Sequence, residues 1–208
     1  MEKRPEVSLS RSDVSYRHKE FQPYVRALGE LALAWNDLQT ALSFLFSTIV
    51  SGDAGNPTQH AIWHALKSDR SQRDILIAAA HNHNKINSKI DPKISEDIIW
   101  MCGKINVLED IRNDALHSPL FAKRDDNGAI IVRPLTQFGH VRAQKLATKK
   151  ILFEFEYCRD CAVLFTNFTD LLDLYISLDF LKPPARPVLP NRGDTNEKKQ
   201  RPLKSPTK

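Results

Sequence analysis

The sequence predicts an all-α fold, an up-and-down bundle of four to five helices with a small β-hairpin inserted at about residues 120–133. Three observations predict it. Only seven of the 208 residues are glycine, too few for the positive-φ turns of a large β-sandwich or a Gly-rich nucleotide-binding fold. Apolar residues recur at alternating gaps of three and four along several stretches, which is the spacing of one helix face. An Asn-Gly pair between two short apolar runs favours a hairpin.

The first helix has the clearest apolar stripe of the chain. It begins near residues 21–24 and ends at Ser51-Gly52, where glycine can adopt the conformation of a C-terminal cap. A short second helix follows at about 57–67, because Pro57 is acceptable in a first turn. The stripe of the first helix consists of Leu28, Leu31, Trp35, Leu38, Leu42, Leu45 and Ile49.

Two further helices follow. The third begins at Ser68 or Asp69, both favoured N-cap residues, and runs to about residue 86. The fourth begins at Asp91-Pro92 and ends near His117, since the residue before a proline at 119 avoids the helical region. Its stripe consists of Ile94, Ile98, Met101, Ile105 and Leu108.

The hairpin and a last long helix complete the bundle. Residues 121–124 and 129–132 flank the turn at 125–128, and the last helix spans about 148–181. A second apolar seam lies beside the first seam of this helix, so we expect it to face a partner and to form a homodimer. This second seam consists of Cys161, Leu164, Phe168, Leu171, Tyr175 and Leu178.

Three regions follow from this pattern: a flexible N-terminus at 1–20, the bundle domain at 21–181, and a disordered basic Pro-rich tail at 182–208. The tail holds eight basic and two acidic side chains, so its formal charge is +6, whereas the whole chain has a formal net charge of +5. The remainder of the chain is close to neutral, at −1. Attraction to phosphate must therefore come from a local site or from the tail.

The chain is expected to be cytoplasmic, with no membrane, metal or cofactor among its partners. Its first twenty residues are polar, and its longest strongly apolar stretch, at about 41–50, is too short to span a bilayer. Cys158 and Cys161 form a Cys-x-x-Cys with too few further ligands for zinc, and packing in the core is favoured. His60 and His64 have a metal-binding spacing but no glutamate nearby.

Arg112 occupies the next inward position of the fourth helix after Leu108. A buried guanidinium needs an anion, and two interpretations remain open. Arg112 pairs with Asp37, Glu30 or another carboxylate across the bundle, or it binds a ligand. His117 lies five residues later and would point about 140° away on a continuous helix. The two converge only if the helix loosens between them, or if a second subunit contributes its own pair.

The segment from Arg112 through Asn113 to His117 resembles the Arg-x4-6-His motif of the HEPN superfamily (higher eukaryotes and prokaryotes nucleotide-binding domains). The resemblance covers about residues 20–181, at the level of helix order. It implies a dimer whose interface gathers both motifs, and often a metal-independent endoribonuclease that serves as a toxin or in defence against phage. An antitoxin would then be a partner. The family also includes members that bind nucleotides or proteins without cutting RNA.

The residue types suit cleavage of RNA by its own 2′-hydroxyl, which yields a 2′,3′-cyclic phosphate. In this hypothesis His117 transfers the proton, Arg112 holds the phosphate and Asn113 provides an orienting hydrogen bond. Arg70 and Arg73, at the start of the third helix, either lie in a solvated first turn or help to hold RNA phosphate. The alternatives are a non-catalytic HEPN-like module that binds a nucleotide or a protein, and a plain helical scaffold in which Arg112 is neutralised internally.

Overall fold

The structure is a computed structural model that describes residues 19–86, 91–124, 130–136, 139–178 and 182–192. It confirms an all-α bundle with a small hairpin. A 3-10 turn at Lys19–Phe21 leads into α1 (Gln22–Ser51), α2 (Pro57–Ala65), α3 (Asp69–Ile86) and α4 (Pro92–His117). The hairpin follows as β1 (Leu120–Arg124) and β2 (Ile130–Pro134), and α5 (Val141–Leu146) and α6 (Ile151–Leu178) complete the order.

The helix ends lie where the capping residues place them. Gly52 has a φ of 72° and donates its N–H to the Thr48 carbonyl, which closes α1 as predicted. The Ser68 hydroxyl accepts the N–H of Ser71 at 3.1 Å, so Ser68 rather than Asp69 caps α3. The last helix, α6, begins at Ile151, three residues later than predicted, and it continues through Leu178; its expected end at 179–181 lies outside the described residues.

Contacts between helices give the directions of the chain. Glu30 of α1 and Arg159 of α6 are paired at 2.5 Å near the start of both helices, so α1 and α6 run parallel. The short α2 packs against α1, with the His60 ring 3.1 Å from the Ser43 hydroxyl and the Trp63 ring 5.6 Å from the Phe46 ring. Helix α3 begins beside α1, where Asp69 accepts the indole N–H of Trp35.

Helix α4 runs antiparallel to α6. The Cys158 thiol lies 3.6 Å from the Leu108 carbonyl late in α4, whereas Thr169, further along α6, donates to the Met101 sulfur earlier in α4. The core lies between α1, α4 and α6, with α2 and α3 packed on one side. Its apolar residues with no exposed surface include Leu31, Leu38, Leu42, Leu45, Trp63, Leu76, Met101, Ile105, Phe155, Phe165 and Leu172.

The second seam of α6 divides between the core and the surface. Cys161 and Phe168 are buried in the chain's own bundle, whereas Leu171 and Leu178 are 52% and 62% exposed. The N-terminal half of the seam therefore packs internally, and only its C-terminal half is open to a partner.

Helix α6 is also, within the described ranges, the one helix long and apolar enough to cross a membrane, with a mean hydropathy of 1.3 in its most apolar window. The longest apolar stretch therefore lies in α6 and not, as expected, at 41–50. A third of that window is buried inside the protein.

The hairpin pairs in antiparallel register from Leu120 with Pro134 to Arg124 with Ile130. Its expected Asn127-Gly128 turn lies outside the described residues. The sequence did not predict α5, which has six residues and is capped by the His140 side chain. Such a short helix has no room for a repeating apolar stripe, which is why the pattern missed it.

The C-terminal boundary needs correction. Disorder was expected from residue 182, but residues 183–192 lie extended against the bundle, and Arg186 and Arg192 pair with Asp97 and Glu154. Those two carboxylates are buried and require cations. Arg192 pairs with Glu154, and Arg186 pairs with Asp97 together with Lys93 of α4. At the other end, residues 19 and 20 are already part of the 3-10 turn. Residues 1–18 and 193–208 lie outside the described part.

Candidate functional site

Arg112 lies between three helices, in the inward seam of α4. Its Nη2 donates to Asp69 Oδ2 at the start of α3, and its guanidinium carbon lies 4.6 Å from the centre of the Trp35 ring on α1. The Trp35 indole N–H donates to the same carboxylate oxygen at 2.9 Å. The Arg112 side chain remains 17% exposed. The site is thus a cation held between an aromatic face and an acid, with an opening to solvent.

The acid that neutralises Arg112 is neither of the two named from the sequence. Glu30 is occupied by Arg26 and Arg159, and hydrogen bonds from these two guanidiniums hold the pKa of its carboxyl below the usual value. Asp37 is on the exposed face of α1. Arg112 is therefore paired with a carboxylate other than Asp37 or Glu30, namely that of Asp69.

Asn113 contacts the arginine rather than the histidine. Its Oδ1 accepts from Arg112 Nη1 at 2.9 Å, so the two adjacent side chains form one polar group. The Arg112 Nε–H is buried and has no hydrogen-bond acceptor in the described part of the chain. A buried unpaired donor is costly, and it leaves this guanidinium with bonding capacity that the described residues do not use.

His117 is not brought to Arg112 within one chain. Helix α4 continues through His117, so the route by which the helix loosens between the two residues is not realised. Their side chains leave the helix about 140° apart. His117 is exposed and has no hydrogen bond or ion pair to any residue in the described ranges. The sequence left two ways to bring His117 close to an Arg112 side chain, and the remaining one is a second copy of the chain.

The two arginines of α3 are both engaged within the protein. Arg73 has no exposed side-chain surface and donates to Asn106 Oδ1 at 2.7 Å and to Glu109 Oε2 at 2.5 Å. Arg70 is 52% exposed and lies 3.6 Å from both Glu109 and Asp110. Neither alternative from the sequence fits Arg73, because it is neither solvated nor open to a phosphate.

The three cysteines are packed in the core and His60 is bonded within the fold, whereas His64 is exposed. All three cysteines are free and buried, and burial raises the pKa of the Cys158 thiol from 9.0 to about 12. The His60 ring lies 3.1 Å from the Ser43 hydroxyl and 2.8 Å from the Ala54 carbonyl, so both its nitrogens have polar partners within the fold. In the described ranges, no three His, Cys, Asp or Glu side chains are grouped as metal ligands.

A groove of about 270 Å³ lies at the N-terminal ends of α1 and α6. Arg26 and Arg159 line it, but both are paired with Glu30, at 2.7 and 2.5 Å, and Arg159 is also paired with Asp160 at 2.7 Å. The groove therefore presents an ion-pair network rather than free cations, and it does not include the motif.

Two residues of the site were missed by sequence reasoning. The apolar spacing of α1 predicts a core position for Trp35, and the start of α3 indicates only a capping role for Asp69. One signal was available for Asp69, because an acid in the first turn of α3 lies one helical turn before Arg73, on the inward face. Comparison of the chain with protein-family models, curated proteins and solved structures finds no match.

Proposed function

We propose that this protein is a metal-independent endoribonuclease of the HEPN type, active as a homodimer. In the proposed site, Arg112 of one copy and His117 of the partner subunit flank a single phosphodiester. The composite arrangement follows from α4, because one continuous helix directs these two side chains apart.

The observation that carries the proposal is the bonding capacity that the two motif residues leave unused. Arg112 is partly open and has a buried Nε–H without an acceptor, and His117 is exposed without a polar partner in the described ranges. Arginine offers two donors to two phosphate oxygens and keeps its charge at all relevant pH values. Histidine has an ordinary pKa of about 6.5 and can exchange protons near neutrality.

The chemistry requires few groups. The imidazole of His117 accepts the proton of the 2′-hydroxyl, and the 2′-oxygen attacks phosphorus while the bond from phosphorus to the 5′-oxygen breaks. The departing 5′-oxygen takes a proton from water, and Arg112 stabilises the charge on the phosphorane oxygens. Asn113 holds the guanidinium through its 2.9 Å hydrogen bond. The products are a 2′,3′-cyclic phosphate and a 5′-hydroxyl.

In this proposal Asp69 holds Arg112 in place until RNA arrives. The phosphate then shares the guanidinium with Asp69 or replaces it. Because Asp69 is also fixed by the Trp35 N–H, the arginine returns to the same position after the product leaves.

One observation favours a second candidate, a non-catalytic module that binds a nucleotide or a protein. Arg112 is already paired with Asp69 and stacked on Trp35, so its charge is compensated without a substrate. In that case the surface beside Trp35 binds a ligand, and His117 has no chemical role.

The test is an RNA cleavage assay in EDTA with the wild type, Arg112→Ala and His117→Ala. His64→Ala is the matched control, because His64 is an exposed histidine on α2. We expect each motif variant to cleave about 10²–10⁴-fold more slowly, the range for one positioned acid–base or charge-stabilising group. The control should cleave like the wild type.

Equal cleavage by His117→Ala and wild type would contradict the assignment, as would loss of activity in EDTA. An inactive wild type that binds nucleotides through Arg112 would support the binding module. We also propose a cellular role as a toxin or phage-defence effector. Expression should then slow growth, and His117→Ala should relieve it.

A further inference from the structure

The segment at 183–192, here called the strap, crosses the groove between α4 and α6. It has no regular secondary structure and contains prolines at 183, 184, 187 and 190. Arg186 reaches Asp97 near the start of α4, and Arg192 reaches Glu154 near the start of α6. Since α4 and α6 are antiparallel, these two contacts lie toward opposite ends of the bundle.

Each arginine enters a site of the same design. Arg186 Nε donates to Asp97 Oδ1 at 2.5 Å, and its guanidinium carbon lies 5.1 Å from the centre of the Trp100 ring. Arg192 Nη2 donates to Glu154 Oε2 at 2.5 Å, and its guanidinium carbon lies 5.8 Å from the centre of the Tyr157 ring.

Both acids are almost fully buried, at 0% and 1% exposed. Asp97 is also paired with Lys93, whose Nζ lies 3.3 Å from Asp97 Oδ2, whereas Glu154 Oε1 has no hydrogen bond in the described part of the chain. A buried acid beside an aromatic face is a specific receptor for a guanidinium.

The spacing of the anchors matches an extended proline-rich chain. Arg186, Leu189 and Arg192 are three residues apart, and a polyproline II helix has three residues per turn, so these side chains share a face. Leu189 packs against the core between the two arginines, whereas the neighbouring Val188 is 91% exposed. The groove thus binds three side chains in the pattern Arg-x2-Leu-x2-Arg.

We propose that the α4–α6 groove is a binding site for extended, proline-rich peptides of this Arg-x2-Leu-x2-Arg pattern, and that the strap is its intramolecular competitor. Two features make exchange feasible. The strap is anchored mainly by side chains, and the two arginine side chains are 40% and 42% exposed. A partner that presents the same pattern can therefore displace the strap without unfolding a helix.

The test uses a fluorescent synthetic peptide with the sequence of residues 183–192. The receptors are the full-length wild type and full-length Arg186→Gln/Arg192→Gln, whose own strap lacks both cations. We expect the variant to bind the peptide at least about 10-fold more tightly than the wild type, because a tethered competitor acts at about millimolar effective concentration. A peptide with both arginines changed to glutamine should bind the variant about 10-fold more weakly.

A second receptor keeps the proposal testable if loss of both charges prevents folding. Arg186→Lys/Arg192→Lys retains a cation over each buried acid but loses the planar stacking group. It should bind the peptide about three-fold or more better than the wild type. Equal binding by wild type and a folded variant, equal binding of the two peptides, or no binding by any folded receptor would each overturn the proposal.

Discussion

At the scale of single residues, the cluster of Trp35, Asp69 and Arg112 connects the fold to the proposed chemistry. One carboxylate oxygen accepts from both the indole and the guanidinium. It therefore links α1, α3 and α4 at the point where the proposed substrate would bind. This contact stabilises the fold and also positions Arg112. The two roles are separated by measuring both the free energy of unfolding and RNA cleavage.

Asp69→Ala should lower the free energy of unfolding by about 1–3 kcal/mol, because it leaves two donors unpaired in a partly buried place. Urea denaturation with a linear extrapolation measures this. Asp37→Ala is the matched control, an exposed acid on α1 that should change stability by less than about 0.5 kcal/mol. Equal effects of the two substitutions would show that the Asp69 contact does not stabilise the fold.

The buried thiols and Tyr157 predict a loss of stability at alkaline pH. Burial raises the pKa of Cys102 and of Cys158 from 9.0 to about 12, and that of Tyr157 from 10.0 to about 12. The folded state therefore retains protons that the unfolded state releases. The stabilisation is complete below pH 9 and is lost as pH rises toward 12.

Cys158→Ala should make this dependence shallower by up to about 1.4 kcal/mol per pH unit, the contribution of one proton. Urea midpoints between pH 8 and 10.5 measure the slope, which separates the protonation effect from any packing loss that is constant with pH. An unchanged slope would mean that the Cys158 thiol ionises alike in both states.

At the scale of elements, the long helices could be predicted because their apolar residues repeat every three or four positions over many turns. The predicted ends of α1 and α4 were accurate because glycine, aspartate and proline restrict the backbone locally. The strap and α5 could not be predicted in this way. The strap is held by charges whose partners, Asp97 and Glu154, are 89 and 38 residues away in sequence.

Arg73 shows why a charge pattern alone misleads. The residue sits among surface-type neighbours in sequence, yet it occupies an inward position and is fully buried with Glu109, which is 12% exposed. Helix spacing separates its face from that of Arg70, but the acid and the amide of α4 that make a buried arginine acceptable there are not visible in the local sequence. The candidate site, too, was predictable only in part, because some of its residues come together only in the folded protein. Arg112, Asn113 and His117 belong to one motif, whereas Trp35 and Asp69 are assembled by tertiary packing.

Arg73→Ala should lower the free energy of unfolding by about 3–5 kcal/mol, because it leaves the nearly buried Glu109 without its closest cation. Arg70→Ala, 52% exposed, should cost less than about 0.5 kcal/mol. The double variant Arg73→Met/Glu109→Leu should recover most of the loss. Chemical denaturation of the four proteins measures this. Similar costs for the two single variants would contradict burial of the pair.

At the scale of the whole molecule, the proposed dimer has two candidate faces. One borders the motif, where Leu116 is 38% exposed and Val141 is 65% exposed on α5. Lys145 of α5 lies 3.2 Å from Asp114, so α5 is fixed against the end of α4. The other face is the C-terminal half of α6, which includes Leu174 at 44%. Only a face beside the motif is suited to bring Arg112 of one copy to His117 of the partner subunit.

Val141→Asp should therefore convert the dimer to a monomer at micromolar concentration, because a buried unpaired carboxylate opposes association. Leu174→Asp is the matched control on α6 and should remain dimeric. Light scattering after size exclusion measures both. A monomeric wild type would contradict the dimer, and dissociation by Leu174→Asp alone would place the interface away from the motif.

The most direct measurement mixes two variants, Arg112→Ala and His117→Ala, each inactive as a homodimer, under conditions in which subunits exchange. Half of the dimers then contain both chains, and each of these has one of its two composite sites intact. RNA cleavage should return to about a quarter of the wild-type rate. Activity no higher than that of either variant alone would contradict a site shared between two copies.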